Sequence, residues 1–258
     1  MYFPKTSTKY DSPTQREMLK VISTEFEISN RYIDKMTALI DYDIVFVMDD
    51  SGSMRNRSNH ENHSSRWEEL KYITNIAIRL GVIFDDNGID IKFLNRTGLN
   101  NVISFEQIEP LFRKDPYGLT PLTKVVSDIF QQYQNNDKPI LLVIVTDGLP
   151  TNQYAYPDIH QFNTLITNTN HNFNISFLTW EVQDDFEDLN ILEKNIPNVN
   201  TLDDYLSELK KVQLIKGTKY KYSFGDHVAR LLLRPICYDL DILDECKIKH
   251  KCRGCCIL

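Results

Sequence analysis

The chain has 258 residues, of which 41% are hydrophobic, and this size suits one large α/β domain with appendages because single cores stop growing at about 250–300 residues. The formal net charge of -7 gives no overall basis for binding nucleic acid, whose readers usually carry a basic face. We therefore expect no nucleic-acid partner.

Hydrophobic periodicity and turn residues predict an alternation of helices and strands along the chain. Strands are predicted at 43–49, 89–94, 102–105, 139–145, 173–180 and 199–202. Helices are predicted at 14–40 (one or two helices), 65–83, 106–113, 121–134, 157–169, 184–194, 203–214 and 225–233. The strand at 102–105 is expected to be antiparallel to its predecessor because only a brief turn separates them. The alternation favours an α/β fold with a doubly wound, mostly parallel sheet covered by helices on both faces.

Two of the predicted strands are continuously apolar and end in acidic loops. The first runs into Asp49-Asp50-Ser51-Gly52-Ser53, and the second into Thr146-Asp147-Gly148. In open α/β sheets, ligands bind beyond the carboxyl ends of the strands, so polar residues at these ends are candidates for a site. When the loop after the first strand is considered alone, an ordinary turn explains it as well as a metal site does, because Asp, Ser and Gly are common turn residues.

A third segment can close the site. Thr120 precedes Pro121, and we expect Thr120 to cap a helix whose first residue is that proline. If the two apolar strands are neighbours, all three loops converge on a set of carboxylate and hydroxyl oxygens without a thiolate. Such a set suits Mg²⁺ or Mn²⁺ better than zinc or copper, and Ca²⁺ usually takes more ligands.

These three segments resemble the metal ion-dependent adhesion site of the von Willebrand factor type A (vWA) domain family. The matching residues are 49–54 (Asp-Asp-Ser-Gly-Ser-Met), 118–122 (Gly-Leu-Thr-Pro-Leu) and 146–148 (Thr-Asp-Gly), and the resemblance covers roughly residues 41–215. It implies that hydroxyl ligands come from Ser51, Ser53 and Thr120, and that Asp49 and Asp147 act directly or through water. It also implies an open coordination position for an Asp or Glu carboxylate of a protein partner.

The domain boundaries follow from this resemblance. We expect an N-terminal helical extension (1–40), a vWA domain (41–215), a C-terminal helical extension packed on the domain (216–243) and a basic, cysteine-rich tail (244–258). In the loop 54–64, His60, Glu61 and His63 could form a second metal site, but a solvated loop is the favoured interpretation because these residues do not favour a helix.

The C-terminal tail (244–258) suggests where in the cell the protein is located. No apolar run approaches the about 18–20 residues that span a bilayer, the first residues lack a signal region, and Tyr2 excludes N-myristoylation. The last four residues, Cys255-Cys256-Ile257-Leu258, fit a CaaX signal with Cys255 as the prenyl acceptor, and Leu258 favours geranylgeranyl. Four of the five cysteines lie at this end, whereas a disulfide framework would distribute them through the fold.

A single lipid binds membranes only marginally, so a second signal is needed. It could come from a palmitate on Cys252 or Cys256, or from the cations Lys247, Lys249, Lys251 and Arg253, at about 1 kcal/mol each near an anionic leaflet. The tail resembles the hypervariable ends of Ras and Rho GTPases. Two alternatives remain open, namely a zinc knuckle built from Cys246, His250, Cys252 and Cys255, and a disordered tail with incidental thiols.

The favoured function is a non-enzymatic, metal-dependent protein-binding module at the cytosolic face of a membrane. One alternative is a Mg²⁺-dependent phosphoryl-transfer or receiver-like protein, although no phosphate loop or nucleophile elbow is present. The other is a scaffold that acts through the helices at 14–40 and 203–234. Within the latter, we expect the apolar stretch 220–233 to pack on the domain.

Overall fold

The structure is a computed structural model, and it describes residues 13–85, 87–169, 172–180, 192–193 and 195–240. Its strands are β1 (Asp43–Met48), β2 (Ile89–Phe93), β3 (Leu99–Val102), β4 (Ile140–Thr146), β5 (Phe173–Thr179) and β6 (Val199–Asp203). They form one sheet in the order β3-β2-β1-β4-β5-β6, in which only the β2–β3 pair is antiparallel. The predicted α/β class with a mostly parallel sheet is confirmed.

The helices alternate with these strands. They are α1 (Pro13–Glu25), α2 (Asn30–Ile33), α3 (Arg66–Gly81), α4 (Glu109–Phe112), α5 (Leu122–Gln132), α6 (Ile159–Thr167), α7 (Tyr205–Lys216) and α8 (Phe224–Leu233). Short 3-10 turns occur at Met36–Asp41, Gly52–Arg55, Phe105–Gln107 and Tyr238–Leu240. The predicted helix at 106–113 is instead a 3-10 turn followed by the single turn α4, and most of the predicted helix at 184–194 lies outside the described residues. Within the described residues, no helix is long and apolar enough to cross a membrane.

The two central strands, β1 and β4, are buried on both faces. In β1, Ile44, Phe46 and Met48 contribute to one hydrophobic cluster, whereas Val45 and Val47 contribute to the other. β4 alternates in the same way, and all seven of its residues are buried. This double burial explains why both segments read as continuous apolar runs rather than as alternating ones.

Helices cover each face of the sheet. On one face, α1, α3 and α8 share a cluster with β1, β2 and β4. On the other face, α5 and α6 pack against β1, β4 and β5. Within the stretch 220–233, α8 belongs to the first layer, and every residue from Gly225 to Leu233 is buried. Tyr220 and Tyr222 pack instead in a small separate cluster with Val212 of α7. The backbone just after α1 lies close to the start of α8, because a Cβ on Gly225 would lie 2.2 Å from the carbonyl oxygen of Phe26.

The edge strand β3 is antiparallel as predicted, but it covers Leu99–Val102 rather than 102–105. A close turn at Gly98, where a Cβ would lie 1.9 Å from the carbonyl oxygen of Ile91, brings Leu99 opposite Ile91. The strand then ends at a capping box between Ser104 and Gln107. The apolar residues that suggested the later strand were misleading, because an edge strand needs no apolar pattern and Ile103 is 60% exposed.

Candidate metal centre

The loops that follow β1 and β4 meet at the carboxyl-terminal edge of the sheet. Because β1 and β4 are parallel neighbours, with Met48 opposite Val145, the residues that follow them emerge side by side. The Ser51 and Ser53 hydroxyl oxygens lie 3.0 Å apart, and the Ser53 hydroxyl donates to Asp147 Oδ1 at 2.7 Å. A chain of three oxygen-bearing side chains therefore joins the two loops.

Asp49 lies behind this chain and is fully buried. Its Oδ1 accepts from the Ser51 backbone N–H at 2.7 Å, and its Oδ2 accepts from the Thr146 hydroxyl at 2.6 Å. Burial, and then the nearby charge of Asp147, raise the pKa of Asp49 to about 6, although the hydrogen bonds from Thr146 and Ser51 act in the opposite direction. Both of these hydrogen-bond donors to the Asp49 carboxylate are neutral, and neither is a cation that would compensate its charge.

Thr120 lies on the third side. The Gly52 N–H donates to the Gly118 carbonyl at 3.1 Å, which joins the first loop to the segment that carries Thr120. A Cβ on Gly148 would lie 3.5 Å from Thr120 Oγ1, so this hydroxyl also borders the β4 loop. The prediction that Thr120 caps the next helix was wrong. α5 begins at Leu122, Pro121 holds the N-cap position, and no side chain caps it in the described structure.

Five predicted ligand residues are therefore placed around one edge of the sheet: Asp49, Ser51, Ser53, Thr120 and Asp147. Their oxygens form a hard donor set that fits Mg²⁺ or Mn²⁺. Within the described residues, no group of three or more His, Cys, Asp or Glu side chains could hold a metal ion. This centre would thus depend on hydroxyl oxygens in addition to its two carboxylates.

Asp50, the neighbour of Asp49, has a different environment. Its Oδ2 forms an ion pair with Arg96 Nε at 2.6 Å, and its Oδ1 accepts from the Asn95 backbone N–H at 2.7 Å. The Arg96 guanidinium also donates to the carbonyl oxygens of Leu111 (2.8 Å) and Asp115 (3.0 Å). Asp50 and Arg96 therefore connect the loop after β1 to the segment 111–115, so their ion pair stabilises the arrangement of these loops.

Arg66 is the site residue that sequence reasoning missed. Its Nη1 lies 2.6 Å from Asp147 Oδ2, and the two side chains are 14% and 0% exposed. Arg66 is the first residue of α3, directly after the N-cap Ser65, whose hydroxyl accepts from the Glu68 N–H at 3.3 Å. The sequence offers one signal for this role. Arg66 lies in the first turn of a predicted helix, where a cation interacts unfavourably with the helix dipole.

Most residues of the loop 54–64 are exposed, as predicted for a solvated loop, but a few of its side chains are anchored. His60 and His63 have ring centroids 4.9 Å apart, and both rings pack against Phe224 at 5.5 Å and 5.9 Å. Ser58 is buried and donates to Glu69, which also accepts from Trp180 Nε1 at 2.9 Å. The loop is therefore solvated along most of its length, while the two histidines pack on an aromatic surface formed by Tyr72 of α3 and Phe224 of α8.

Exposed aromatic side chains occur in two of the loops at this edge. Tyr154 and Tyr156 are 70% and 68% exposed, and Tyr117 is 50% exposed. Their loops are tied to the centre by the backbone, since the Thr151 N–H donates to the Thr120 carbonyl at 2.8 Å and the Tyr117 N–H donates to the Asp50 carbonyl at 2.7 Å. These three tyrosines, which are open to solvent on loops hydrogen-bonded to the segments of the centre, are called the rim below.

The predicted tail residues lie outside the described residues. They are the lipidation candidates Cys252, Cys255 and Cys256, the basic residues Lys247, Lys249, Lys251 and Arg253, and the alternative zinc ligands Cys246 and His250.

No protein-family model matches the sequence, and no curated protein matches it. Among solved structures, the chain is similar to the crystal structure of the SpRpn10 VWA domain, with a TM-score of 0.47 and 9% sequence identity. That similarity covers 63% of this chain and 87% of the other.

Proposed function

We propose that this chain is a vWA-type module that binds a protein partner through a divalent cation, Mg²⁺ or Mn²⁺, and that it is not an enzyme. The observation that carries the proposal is the chain of oxygens from Ser51 through Ser53 to Asp147, with Asp49 behind it and Thr120 at its side. When bound, a divalent cation supplies a positive centre that accepts a carboxylate oxygen from an Asp or Glu of the partner.

The residues of this chain have distinct parts in such a site. The hydroxyls of Ser51, Ser53 and Thr120 would be neutral ligands, and Asp49 and Asp147 would supply the negative charge. The backbone N–H of Ser51 and the hydroxyl of Thr146 hold Asp49 in one orientation before any ion binds. Asp49 is therefore preorganised by hydrogen bonds, which lowers the entropic cost of binding an ion at this residue.

The rim supports a protein partner rather than a small molecule. Tyrosine is enriched at protein interfaces because it offers a large contact area together with a polar group. Tyr117, Tyr154 and Tyr156 are open to solvent on loops that are tied to the centre. A partner that places an acidic side chain at the cation would bring its neighbouring surface onto these rings.

Titration calorimetry with MgCl₂ and MnCl₂ tests the metal site directly. We expect one binding site in the wild-type chain and a loss of binding in Asp49→Asn and Ser53→Ala. Asp43→Asn is the matched control, because Asp43 begins the same strand at the opposite edge, where it accepts from Asn136 and lies near Lys138. Equal ion binding by the wild type and Asp49→Asn would contradict the assigned ligands.

Partner binding is tested by affinity capture from a membrane fraction, with Mg²⁺ or with EDTA. We expect the captured partner to be lost with EDTA and with Asp147→Ala, and to be retained with Asp43→Asn. A partner that binds equally well without metal would refute the metal bridge. Mg²⁺-dependent hydrolysis or uptake of phosphate from acetyl phosphate would contradict the non-enzymatic assignment and favour the receiver-like alternative.

We also propose that the chain is tethered to the cytosolic face of a membrane by a prenyl group on Cys255. The CaaX pattern and the adjacent basic residues support this proposal. Cys255→Ser should release the protein from the membrane fraction of lysed cells, whereas Cys237→Ser, which changes a cysteine outside the tail, should not. Unchanged membrane partitioning of the Cys255 variant would contradict the anchor.

A further inference from the structure

The ion pair between Arg66 and Asp147 places a protein cation in the candidate metal centre. Arg66 Nη1 lies 2.6 Å from Asp147 Oδ2, while Asp147 Oδ1 accepts from the Ser53 hydroxyl. Both carboxylate oxygens of Asp147 are therefore engaged. An entering dication would meet a carboxylate whose charge is already largely compensated.

Arg66 is held at this position by few contacts other than the ion pair. Its backbone N–H donates to the Asn56 carbonyl at 2.9 Å, which fixes the start of α3 against the loop after β1. Its Nε is buried and has no hydrogen-bond partner in the part of the chain that the structure describes. Asp147 is thus the ion-pair partner of the guanidinium among its described contacts, while Glu69 on the same helix interacts with it electrostatically at longer range.

Arg96 shows what a purely structural arginine at this edge looks like. Its guanidinium binds Asp50 and also donates to three backbone carbonyls, those of Leu111, Lys114 and Asp115. Arg66 has no such set of carbonyl partners among its described contacts. This difference indicates that Arg66 serves the charge balance of the centre more than the connection of loops.

The charge balance has a direct consequence. Asp49 and Asp147 bring two negative charges to the centre, and Arg66 brings one positive charge, so the net charge offered to an ion is halved when both acids are ionised. A cation that lies within a few ångströms of another cation at a poorly solvated position is repelled strongly. We propose that Arg66 is a built-in counter-cation that lowers the affinity of the centre for a divalent ion. This inference rests on the proposed metal site.

The test is calorimetric titration of Mn²⁺ alone into the wild-type chain, Arg66→Gln and Arg66→Lys. We expect Arg66→Gln to bind Mn²⁺ about tenfold more tightly or better, because a nearby repulsive charge is removed, and Arg66→Lys to remain close to the wild type. Arg79→Gln is the matched control, since Arg79 lies on the same helix but pairs with Glu25 at 2.6 Å. It removes the same charge from the chain and should leave the Mn²⁺ affinity unchanged.

Unchanged or weaker Mn²⁺ binding in Arg66→Gln would overturn the inference, because Arg66 would then position Asp147 rather than compete with the ion. An equal gain in Arg79→Gln would also overturn it, as a general effect of net charge. If the wild type and all variants fail to bind Mn²⁺, the proposed metal site itself is wrong. Should Arg66→Gln fail to fold by circular dichroism, Arg66→Met, which keeps an apolar stem, replaces it in the same comparison.

Discussion

Truncation of the adjacent carboxylates Asp49 and Asp50 should destabilise the fold by very different amounts. Asp50→Ala leaves Arg96, whose side chain is 8% exposed, without its counter-ion. It also removes the acceptor of the Asn95 backbone N–H. Breaking a buried ion pair by removal of one partner costs about 3–5 kcal/mol, since an uncompensated charge stays buried. At about 2–4 °C per kcal/mol for a chain of this size, the melting temperature should fall by about 6–20 °C.

Asp49→Ala should be much milder in metal-free buffer. Asp49 is a buried carboxylate whose hydrogen-bond donors are neutral, and burial raises its pKa, so its own ionised form is costly in the folded state. Its removal loses two hydrogen bonds, each of about 1 kcal/mol, but also relieves the desolvation of the charge. We expect a net destabilisation below about 2 kcal/mol.

The assay is urea unfolding at pH 7 in the presence of EDTA, followed by circular dichroism and compared among the wild type, Asp49→Ala and Asp50→Ala. EDTA is required because a bound ion would stabilise only the chains that bind it. A destabilisation by Asp49→Ala that equals or exceeds that of Asp50→Ala would refute the assignment of Asp50 to structure and Asp49 to the metal centre.

Two further expectations concern α8. Gly225→Ala should destabilise the fold by about 1–3 kcal/mol, because its Cβ would meet the Phe26 carbonyl oxygen at 2.2 Å. The control Gly52→Ala should cost little, because the nearest atom to its Cβ lies at 3.8 Å. Equal urea midpoints for the two variants would contradict this expectation. Burial lowers the pKa of His227 from 6.5 to about 4, so its contribution to stability is present above pH 6.5 and is lost as the pH falls towards 4. Between pH 7 and pH 5, the wild type should therefore lose about 2 kcal/mol more than His227→Gln, and parallel pH profiles of the two chains would count against the neutral, buried imidazole.

Much of the central fold could be predicted from local patterns. Residues 44–48 and 140–145 are apolar at every position, which is typical of a short strand covered on both faces. The alternation in Ile89–Phe93 indicated one packed face, which is what β2 has. The edge strand β3 was less predictable, since Leu99–Val102 pairs through its backbone and carries no apolar signature, whereas the other edge strand was predicted at nearly its observed position.

The start of the helix beside the candidate site could not be predicted from local patterns either. Thr120-Pro121 has the composition of a capped helix start, yet α5 begins one residue later. The Thr120 backbone N–H instead donates to the Thr151 hydroxyl at 3.1 Å, and its carbonyl accepts from the Thr151 N–H. Contacts with a loop that follows another strand decided the local conformation, and no pattern within 118–122 contains that information.

The sequence by itself determined which oxygens are available at the sheet edge, because two buried strands must end there and their next residues are Asp49, Ser51, Ser53 and Asp147. The tertiary structure alone decided which charges stand beside them. Arg66 reaches Asp147 across 81 residues of sequence, and Arg96 reaches Asp50 across 46. Burial repeats with the period of a strand or helix and is therefore readable in the sequence. An ion pair between distant elements depends on how those elements pack, and this packing made one carboxylate structural and placed a cation against another.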